Sequence, residues 1–328
     1  MSWLSSRIFK RTALALLLAV VVFAALLATG LIRYELAGSG SGIFFSLGTK
    51  ESQIETLEES RVKQASVAVE TPAPAPEPAA AEETKPQPPA QPPSYWTDFR
   101  GPRRDGIAAE TTILTSWPAS GLKPLWKQPI GGGYSSFVFG EGRAYTIEQR
   151  RDKEFVTAYD VKTGKELWAH SYPAFFQESM GGDGPRATPT YHNGRVYSMG
   201  ATGEMRTLDA KTGKVIWAKN ILTDNGASNL TWGMCAAPLI VDNLVIVQPG
   251  GPNGNSVVAY DKESGKKVWG SLDDQQAYAS PMLVTLDGQR QILTVTAKRA
   301  VGLAPETGKL LWEYPWITQY DVNASQPV

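Results

Sequence analysis

Few side chains in this sequence are of the types that perform catalysis or bind metals. The two histidines, His170 and His192, lie 22 residues apart, one just after a tryptophan and one beside an Asn-Gly pair. We therefore expect both at the surface rather than in a triad or a metal site. The single cysteine, Cys235, begins an apolar run, which predicts a buried, unreactive thiol. One cysteine also excludes an intrachain disulfide and a four-thiolate zinc site.

The charge balance argues against one broad class of function. The chain carries 32 Lys and Arg against 32 Asp and Glu, and residues 96–328 carry 24 against 23. Proteins that bind nucleic acids need a basic face to displace counterions from the phosphates. We therefore expect no nucleic-acid partner.

The N-terminus has the composition of a membrane segment. Three basic residues precede an uncharged run of 21 residues, 12–32, and Arg33 follows it. A helix of this length spans about 30 Å of hydrocarbon, and the preceding basic residues favour a cytoplasmic N-terminus. We expect residues 1–33 to form a cytoplasmic tip and a single-pass inner-membrane anchor, with the remainder in the periplasm or another extracytoplasmic space. The alternative is a cleaved signal peptide, whose apolar core is usually about 7–15 residues.

Residues 34–95 are predicted to be a flexible linker. Residues 51–66 could form one short polar helix, and nine prolines follow within residues 71–93. Proline removes backbone donors and fixes φ, so we expect this stretch to be a disordered, extended spacer. The domain beyond it would then work at a distance from the membrane.

One pattern recurs through the C-terminal region. Its copies are AYDVKTGKELW (158–168), TLDAKTGKVIW (207–217), AYDKESGKKVW (259–269) and GLAPETGKLLW (302–312), and a half copy, LKPLW, ends at Trp126. The tryptophans that end them are spaced by 42, 49, 52 and 43 residues. A period of about 40–50 residues indicates a repeat architecture.

Each repeat predicts four short strands. In the second repeat these are residues 187–191, 195–199, 205–209 and 215–219, separated by turns that contain Asn-Gly or Thr-Gly. Such turns between alternating apolar runs are typical of hairpins, and four antiparallel strands at this period indicate propeller blades. We therefore predict an all-β fold, a β-propeller of four-stranded blades.

The recurring residues have a structural rationale. An aspartate can accept hydrogen bonds from the following backbone, and a glycine can adopt a positive φ. The tryptophan then lies on the next strand and can pack on the neighbouring blade. Burying an indole removes about 150–250 Å² from water, or roughly 4–6 kcal/mol before entropy. The residues predicted to dock the blades are Trp126, Trp168, Trp217, Trp269, Trp312, Gly164, Gly213, Gly265 and Gly308.

This pattern resembles the tryptophan-docking repeat of the PQQ-like β-propeller superfamily. That group contains the quinoprotein alcohol dehydrogenases and the outer-membrane assembly lipoprotein BamB. The segments WTDFRGPRRDG (96–106) and GDGPRATPT (182–190) resemble exported BamB-like members. The resemblance covers residues 96–328, which we predict to be one repeat domain. The fourth copy departs from the pattern at Gly302 and Ala304, so a looser turn is expected there.

The resemblance also implies a larger ring, because members of the superfamily usually have seven or eight blades. The innermost strands align at Phe137, Pro189, Pro238, Pro281 and Pro327, which places Pro327 in the first strand of a fifth blade. We expect four full blades with partial ones beside them, forming an open arc of an incomplete ring. A closed four-bladed ring is the alternative, and it requires a large change in blade curvature.

Candidate binding residues precede these innermost strands. The residues three positions before the aligned register are Tyr134, Arg186, Cys235, Tyr278 and Ala324, so they should ring one mouth of the channel. With Trp232, we expect Tyr134, Arg186 and Tyr278 to bind an anionic or planar ligand or a peptide. The alternative is that these residues only plug the mouth and satisfy loop carbonyls.

The resemblance leaves two functions open. A quinoprotein dehydrogenase needs PQQ on an aromatic face and a calcium site of carboxylate and amide oxygens. Asp183, Asp224 and Asn229 lie in suitable loops but form no recognisable ligand set, and Trp232 is the one candidate for stacking. We therefore predict no catalytic or metal residue and favour a BamB-like scaffold that binds an envelope protein. A PQQ-dependent and calcium-dependent oxidoreductase is the alternative.

Overall fold

The computed structural model describes residues 2–29, 31–36, 43–47, 50–66, 96–108, 115–179 and 181–327. The predicted proline-rich spacer, residues 71–93, lies outside these ranges. The chain divides into two compact units, Met1–Lys63 and Gln64–Val328.

The first unit contains the apolar helix. Helix α1 covers Ser2–Ala28, and its stretch Lys10–Ala28 is long and apolar enough to cross a membrane. A signal sequence meets the same criterion. The helix ends at Ala28 rather than at the predicted residue 32, because Ile32 already begins a strand.

Three further elements follow the apolar helix, mostly within the predicted linker. Strands β1 (Ile32–Leu36) and β2 (Ile43–Leu47) pair as an antiparallel hairpin, which the sequence did not predict. Two short apolar-rich runs on either side of a glycine-serine stretch suit such a hairpin. Helix α2 (Lys50–Ser66) matches the predicted polar helix.

The second unit confirms the β-propeller fold. Its described residues form four four-stranded antiparallel sheets, each a meander in which sequential strands are neighbours. Blade 1 consists of β3 (Val138–Gly140), β4 (Arg143–Arg150), β5 (Lys153–Asp160) and β6 (Glu166–Pro173). A small ribbon of β7 (Gln177–Glu178) and β8 (Gly182–Asp183) follows it.

The other three blades repeat this order. Blade 2 consists of β9 (Thr190–His192), β10 (Arg195–Met199), β11 (Glu204–Asp209) and β12 (Val215–Asn220). Blade 3 consists of β13 (Leu239–Val241), β14 (Leu244–Val247), β15 (Val257–Asp261) and β16 (Lys267–Ser271). Blade 4 consists of β17 (Met282–Leu286), β18 (Gln289–Val295), β19 (Arg299–Leu303) and β20 (Leu310–Pro315).

The blades are arranged around a common axis. The innermost strands β3, β9, β13 and β17 neighbour one another in that order. The hydrophobic core lies between successive blades, where Tyr145 of blade 1 stacks on Tyr191 of blade 2 with ring centroids 5.7 Å apart. Equivalent clusters join blade 2 to blade 3 and blade 3 to blade 4.

Indole rings cross from one blade to the next. The ring of Trp168 lies against Gly213, where an added Cβ would come within 2.7 Å of the indole. Its Nε1–H donates a 3.0 Å hydrogen bond to the carbonyl of Ala210. The same arrangement holds for Trp126 on Gly164, Trp217 on Gly265 and Trp269 on Gly308. Each docking glycine has a left-handed φ of 67° to 70°, which a side chain would strain.

Trp312 is placed differently. Its Nε1–H donates to Oε1 of Gln291 at 2.6 Å, and the indole lies over Gly302 of its own sheet. Gly302 stands where the first and third repeats have alanine, so the missing methyl group makes this position possible. Because Trp126 already covers Gly164, the docking series runs from Trp126 to Trp269. The open arc of an incomplete ring stays a prediction.

Three local features differ from the sequence prediction. The turn at Ala304 is not looser in its backbone, because Gly308 N–H donates to the Ala304 carbonyl at 2.8 Å, as Gly164 does to Asp160. The turn at Ala304 lacks the aspartate side chain that accepts hydrogen bonds from the turn amides. A short helix, α3 (Ile221–Asp224), and a 3-10 turn, η1 (Gln319–Asp321), interrupt a region predicted to be free of helix.

Candidate functional site

The centre of the channel is filled by an arginine. The side chain of Arg104 is 2% exposed. Its guanidinium donates hydrogen bonds to Asp98 and to acceptors that lie in, or directly before, the innermost strands of three blades. These acceptors are Thr190 Oγ1 (3.2 Å) and the carbonyl oxygens of Ala237 (3.2 Å), Pro238 and Pro281 (2.7 Å), with Asp98 Oδ1 at 3.0 Å. The segment that carries Arg104 therefore joins blades 2, 3 and 4.

Neighbouring contacts hold this segment in place. The amides of Phe139 and Tyr191 donate to the carbonyls of Trp96 and Thr97, both at 2.8 Å. Burial lowers the pKa of Arg104, and the Asp98 carboxylate opposes that effect. In the sequence, this segment was recognised only by its resemblance to exported BamB-like proteins. Nothing in the run RGPRRDG distinguishes the one buried guanidinium from its exposed neighbours.

The channel has two mouths, which we name by chain direction. The top mouth is where the chain enters the innermost strands, and the bottom mouth is at their other end. The structure places Tyr134, Arg186, Trp232 and Tyr278 in the loops of the top mouth. It brings them together as two separate pairs.

The Arg186 side chain bonds to groups of its own loop. Its guanidinium donates to the carbonyls of Gly184 and Gly182 and pairs with Glu178 at 3.2 Å. It also lies over the rings of Phe176 and Tyr134, at 4.6 and 5.5 Å from their centroids. This geometry is that of a residue that satisfies loop carbonyls, the alternative considered above.

Trp232 and Tyr278 form the second pair. Their ring centroids are 5.6 Å apart, with the planes inclined by 58°. Both rings line a cavity of about 580 Å³ at the top mouth, above blades 3 and 4. The backbone of residues 226–231 forms one wall of this cavity.

Two residues that sequence reasoning did not single out complete this cavity. Tyr320 is 83% exposed and lines it together with Asp321. Both have a left-handed φ, 64° and 57°. The aligned register identifies the loop that carries both residues, because Pro327 follows that loop. No residue pattern distinguishes Tyr320 within the loop.

The other chemistry-bearing residues lie elsewhere. Burial raises the pKa of the Cys235 thiol to about 12, and its Sγ lies 3.3 Å from the carbonyl of Gly233. His170 and His192 are half-buried rather than exposed, and burial lowers the pKa of each. Among the described residues, no cluster of three or more His, Cys, Asp or Glu could hold a metal ion.

One buried carboxylate joins two blades. Glu154 of β5 accepts hydrogen bonds from the Tyr172 hydroxyl (2.7 Å) and from the Ala201 amide of blade 2 (2.9 Å). Burial raises the pKa of Glu154, and the two hydrogen bonds act in the opposite direction. The arrangement is structural, because neither partner faces a channel mouth cavity.

The bottom mouth has a cavity of about 740 Å³. Its lining includes Asp98, Arg103, Arg104 and His192. Both arginines there are paired, since Arg104 contacts Asp98 at 3.0 Å and Arg103 contacts Asp105 at 2.9 Å. The lining also includes the exposed carboxylate of Glu141.

Comparison with known proteins identifies the family. The family model described as outer membrane protein assembly factor BamB matches residues 116–230 and 152–326. The chain belongs to this family.

Two curated relatives are named as quinone or quinoprotein alcohol dehydrogenases. The dehydrogenase subunit of a quinone alcohol dehydrogenase from Komagataeibacter europaeus is 32% identical over 119 residues, covering 34% of this chain and 16% of the relative. The quinoprotein alcohol dehydrogenase PedH of Pseudomonas putida is 26% identical over 176 residues, covering 50% and 28%. The chain thus spans less than a third of the length of these relatives.

Solved structures of both kinds are similar to the chain. BamB from Moraxella catarrhalis has a TM-score of 0.34 and 16% identity, covering 56% of this chain and 61% of its own. A europium-containing methanol dehydrogenase has a TM-score of 0.35 and 14% identity, covering 58% and 52%.

Two of the three residues considered for the calcium site of a quinone cofactor, Asp224 and Asn229, have hydrogen-bond partners within the chain. Asp224 accepts from the Tyr260 hydroxyl at 2.7 Å and from Lys219 at 3.1 Å, and Asn229 donates to the Ala201 carbonyl at 3.0 Å. These two side chains bond to separate partners and do not converge on one site for an ion. The tilted ring of Tyr278 packs against the Trp232 ring, so the indole has no open face for stacking on that side.

Proposed function

We propose that this protein is a membrane-anchored, extracytoplasmic propeller that binds an envelope protein partner as an assembly scaffold. The observation that carries this proposal is the top-mouth cavity, where Trp232, Tyr278 and the exposed Tyr320 surround an opening. Exposed aromatic residues are enriched where proteins bind one another.

Two further observations support a binding role. Arg104 is buried against the inner side of blades 2, 3 and 4, and the two described cavities lie at the mouths. Membership of a family described as an outer membrane protein assembly factor favours an envelope partner. The apolar helix Lys10–Ala28 would tether the propeller to the inner membrane, with the propeller in the periplasm.

Photo-cross-linking in cells tests this proposal. A photoreactive phenylalanine analogue replaces Tyr320 in the full chain, and a control carries it at Thr307, on an exposed turn at the outer edge of blade 4. We expect one envelope protein, identified by mass spectrometry, to be captured from position 320 and not from position 307. Equal capture at both positions, or none above background at 320, would reject the scaffold.

A quinoprotein oxidoreductase is the second candidate, favoured by the 32% identity to a quinone alcohol dehydrogenase subunit. Purified protein would be mixed with PQQ and calcium, and the cofactor absorption and alcohol-dependent dye reduction would be followed. A shifted spectrum with dye reduction supports this candidate. An unshifted spectrum at high micromolar cofactor removes it.

A further inference from the structure

The top-mouth cavity has an uneven charge balance. Its described lining contains three aromatic rings, those of Trp232, Tyr278 and Tyr320, and two carboxylates, Asp273 and Asp321. No lysine or arginine is among these lining residues. The described cavity therefore presents negative charge and aromatic faces without a cation of its own.

Two arginines on neighbouring elements are engaged elsewhere. Arg299 of blade 4 is held by Asp274 at 2.6 Å and by Glu313. Arg186 is enclosed by Glu178 and its loop carbonyls. Both carboxylates of the cavity lie at exposed positions, and one oxygen of Asp273 accepts from the Gly254 amide at 2.7 Å. Among the described contacts, neither of these two carboxylates forms an ion pair with a cation of the chain.

The aromatic faces suit a cation. The negative face of an aromatic ring attracts a guanidinium or ammonium within about 6 Å of the centroid, most strongly for Trp. Elsewhere in this chain the ring of Tyr172 is covered by Arg206 at 3.8 Å and that of Tyr260 by Lys219 at 4.1 Å. Among the described contacts, the rings of Trp232, Tyr278 and Tyr320 have no such cation. The corner formed by Trp232 and Tyr278 is therefore open to one.

We infer that this cavity receives one basic side chain, Arg or Lys, from the partner polypeptide. The cation lies against the rings of Trp232 and Tyr278, and Asp273 and Asp321 compensate its charge. This inference rests on the proposed function and names the chemistry by which its partner is recognised. A polypeptide source is favoured because the segment carrying Tyr320 also exposes Trp316 (54%) and Ile317 (76%), apolar side chains that a flanking peptide would cover.

Calorimetric titration of the purified full chain in detergent tests the inference. Two capped pentapeptides are compared, one with a central arginine among glycines and one with citrulline, which has a similar shape and no charge. We expect the arginine peptide to bind about tenfold more tightly and to weaken as salt is added. Equal affinities, or no heat from either peptide at millimolar concentration, would overturn the inference. Binding of tetramethylammonium but not of the arginine peptide would overturn the polypeptide source.

A matched pair of variants locates the site. Asp321→Asn removes one cavity carboxylate, and Asp287→Asn removes an exposed carboxylate from a turn of blade 4 outside the cavity lining. Both aspartates have a left-handed φ, 57° and 49°, which asparagine tolerates. We expect Asp321→Asn to lower the affinity for the arginine peptide several-fold and Asp287→Asn to leave it unchanged. An equal effect of the two variants would contradict the site.

The two proposals fail in different ways. If an envelope partner is captured but the titration shows no arginine selectivity, the scaffold proposal stands and the cation site is rejected. Arginine selectivity that depends on Asp321, with no captured partner, keeps the cation site and removes the scaffold.

Discussion

The guanidinium of Arg104 donates a 2.7 Å hydrogen bond to the carbonyl oxygen of Pro281, 177 residues further along the chain. Pro281 directly precedes the innermost strand of blade 4, and other donors of the same guanidinium reach blades 2 and 3. One side chain therefore fixes the spacing of three blades around the axis. It does so from a segment that precedes all of them in sequence.

Arg104→Lys is expected to destabilise the propeller. A lysine keeps the charge but cannot reach the same set of carbonyl oxygens, so buried acceptors lose their partners. We expect the free energy of unfolding to fall by about 3–5 kcal/mol in urea titrations followed by tryptophan fluorescence. The control is Arg103→Lys, whose side chain is 50% exposed. Its effect should stay within about 0.5 kcal/mol, and a similar loss in both variants would refute the role of Arg104.

Gly213→Ala tests the docking contact. Gly213 has φ of 70° and its added Cβ would come within 2.7 Å of the Trp168 ring, whereas Gly194 has φ of 74° and open space around it. Both alanine variants carry the cost of a left-handed backbone, but only Gly213→Ala also displaces an indole. We expect Gly213→Ala to lower the free energy of unfolding by about 1–3 kcal/mol more than Gly194→Ala. Equal losses in urea titrations would mean that the indole does not depend on this glycine.

The repeat predicted the blades well because local chemistry determines them. In blade 2 the strand 195–199 was predicted with its observed bounds, and the docking turns contain the aspartate and glycine residues that the motif requires. The hairpin of β1 and β2 was missed because its strands lie in a region read as a linker. The position of Trp312 was not predicted because it depends on Gly302. This residue departs from the repeat motif, and the consequence is visible only when the neighbouring strand is in place.

The candidate site was only partly predictable. The register placed Tyr278 at one mouth, Trp232 was added from the loop before Cys235, and the structure brings the two rings together. It assigned Arg186 to the same site, but that guanidinium bonds its own loop. Arg104 and Tyr320 were not predicted, since each acts through contacts with segments distant in sequence.

Glu154 gives the protein a pH dependence with a defined sign. Burial raises its pKa in the folded state above the unfolded value of about 4.5. Between these two pKa values the folded state holds a proton that the unfolded state has released. Stability should therefore fall as the pH rises from the unfolded pKa through the folded one, and level off above it.

Glu154→Gln should flatten part of this decline, because glutamine keeps an acceptor and does not titrate. The measurement is the urea midpoint at a series of pH values from about 4 to about 8. Glu306→Gln, on an exposed turn, serves as the control and should leave the profile unchanged. An unchanged profile in Glu154→Gln as well would contradict the role of this carboxylate.

Cys235 should be a poor nucleophile in the folded protein. Burial raises the pKa of its thiol to about 12, so very little thiolate exists near pH 8. We expect a thiol reagent to label the native chain slowly and the urea-unfolded chain rapidly, with the difference measured by mass spectrometry. Equally rapid labelling of both states would show that the thiol is accessible and ionised.

Amide hydrogen exchange of the full chain, with and without the cross-linking partner, shows whether a partner binds the top mouth through the cavity above blades 3 and 4. We expect added protection in residues 226–232 and 316–321 and unchanged exchange around His192 at the bottom mouth. Protection confined to the bottom mouth, with residues 226–232 and 316–321 unaffected, would contradict it.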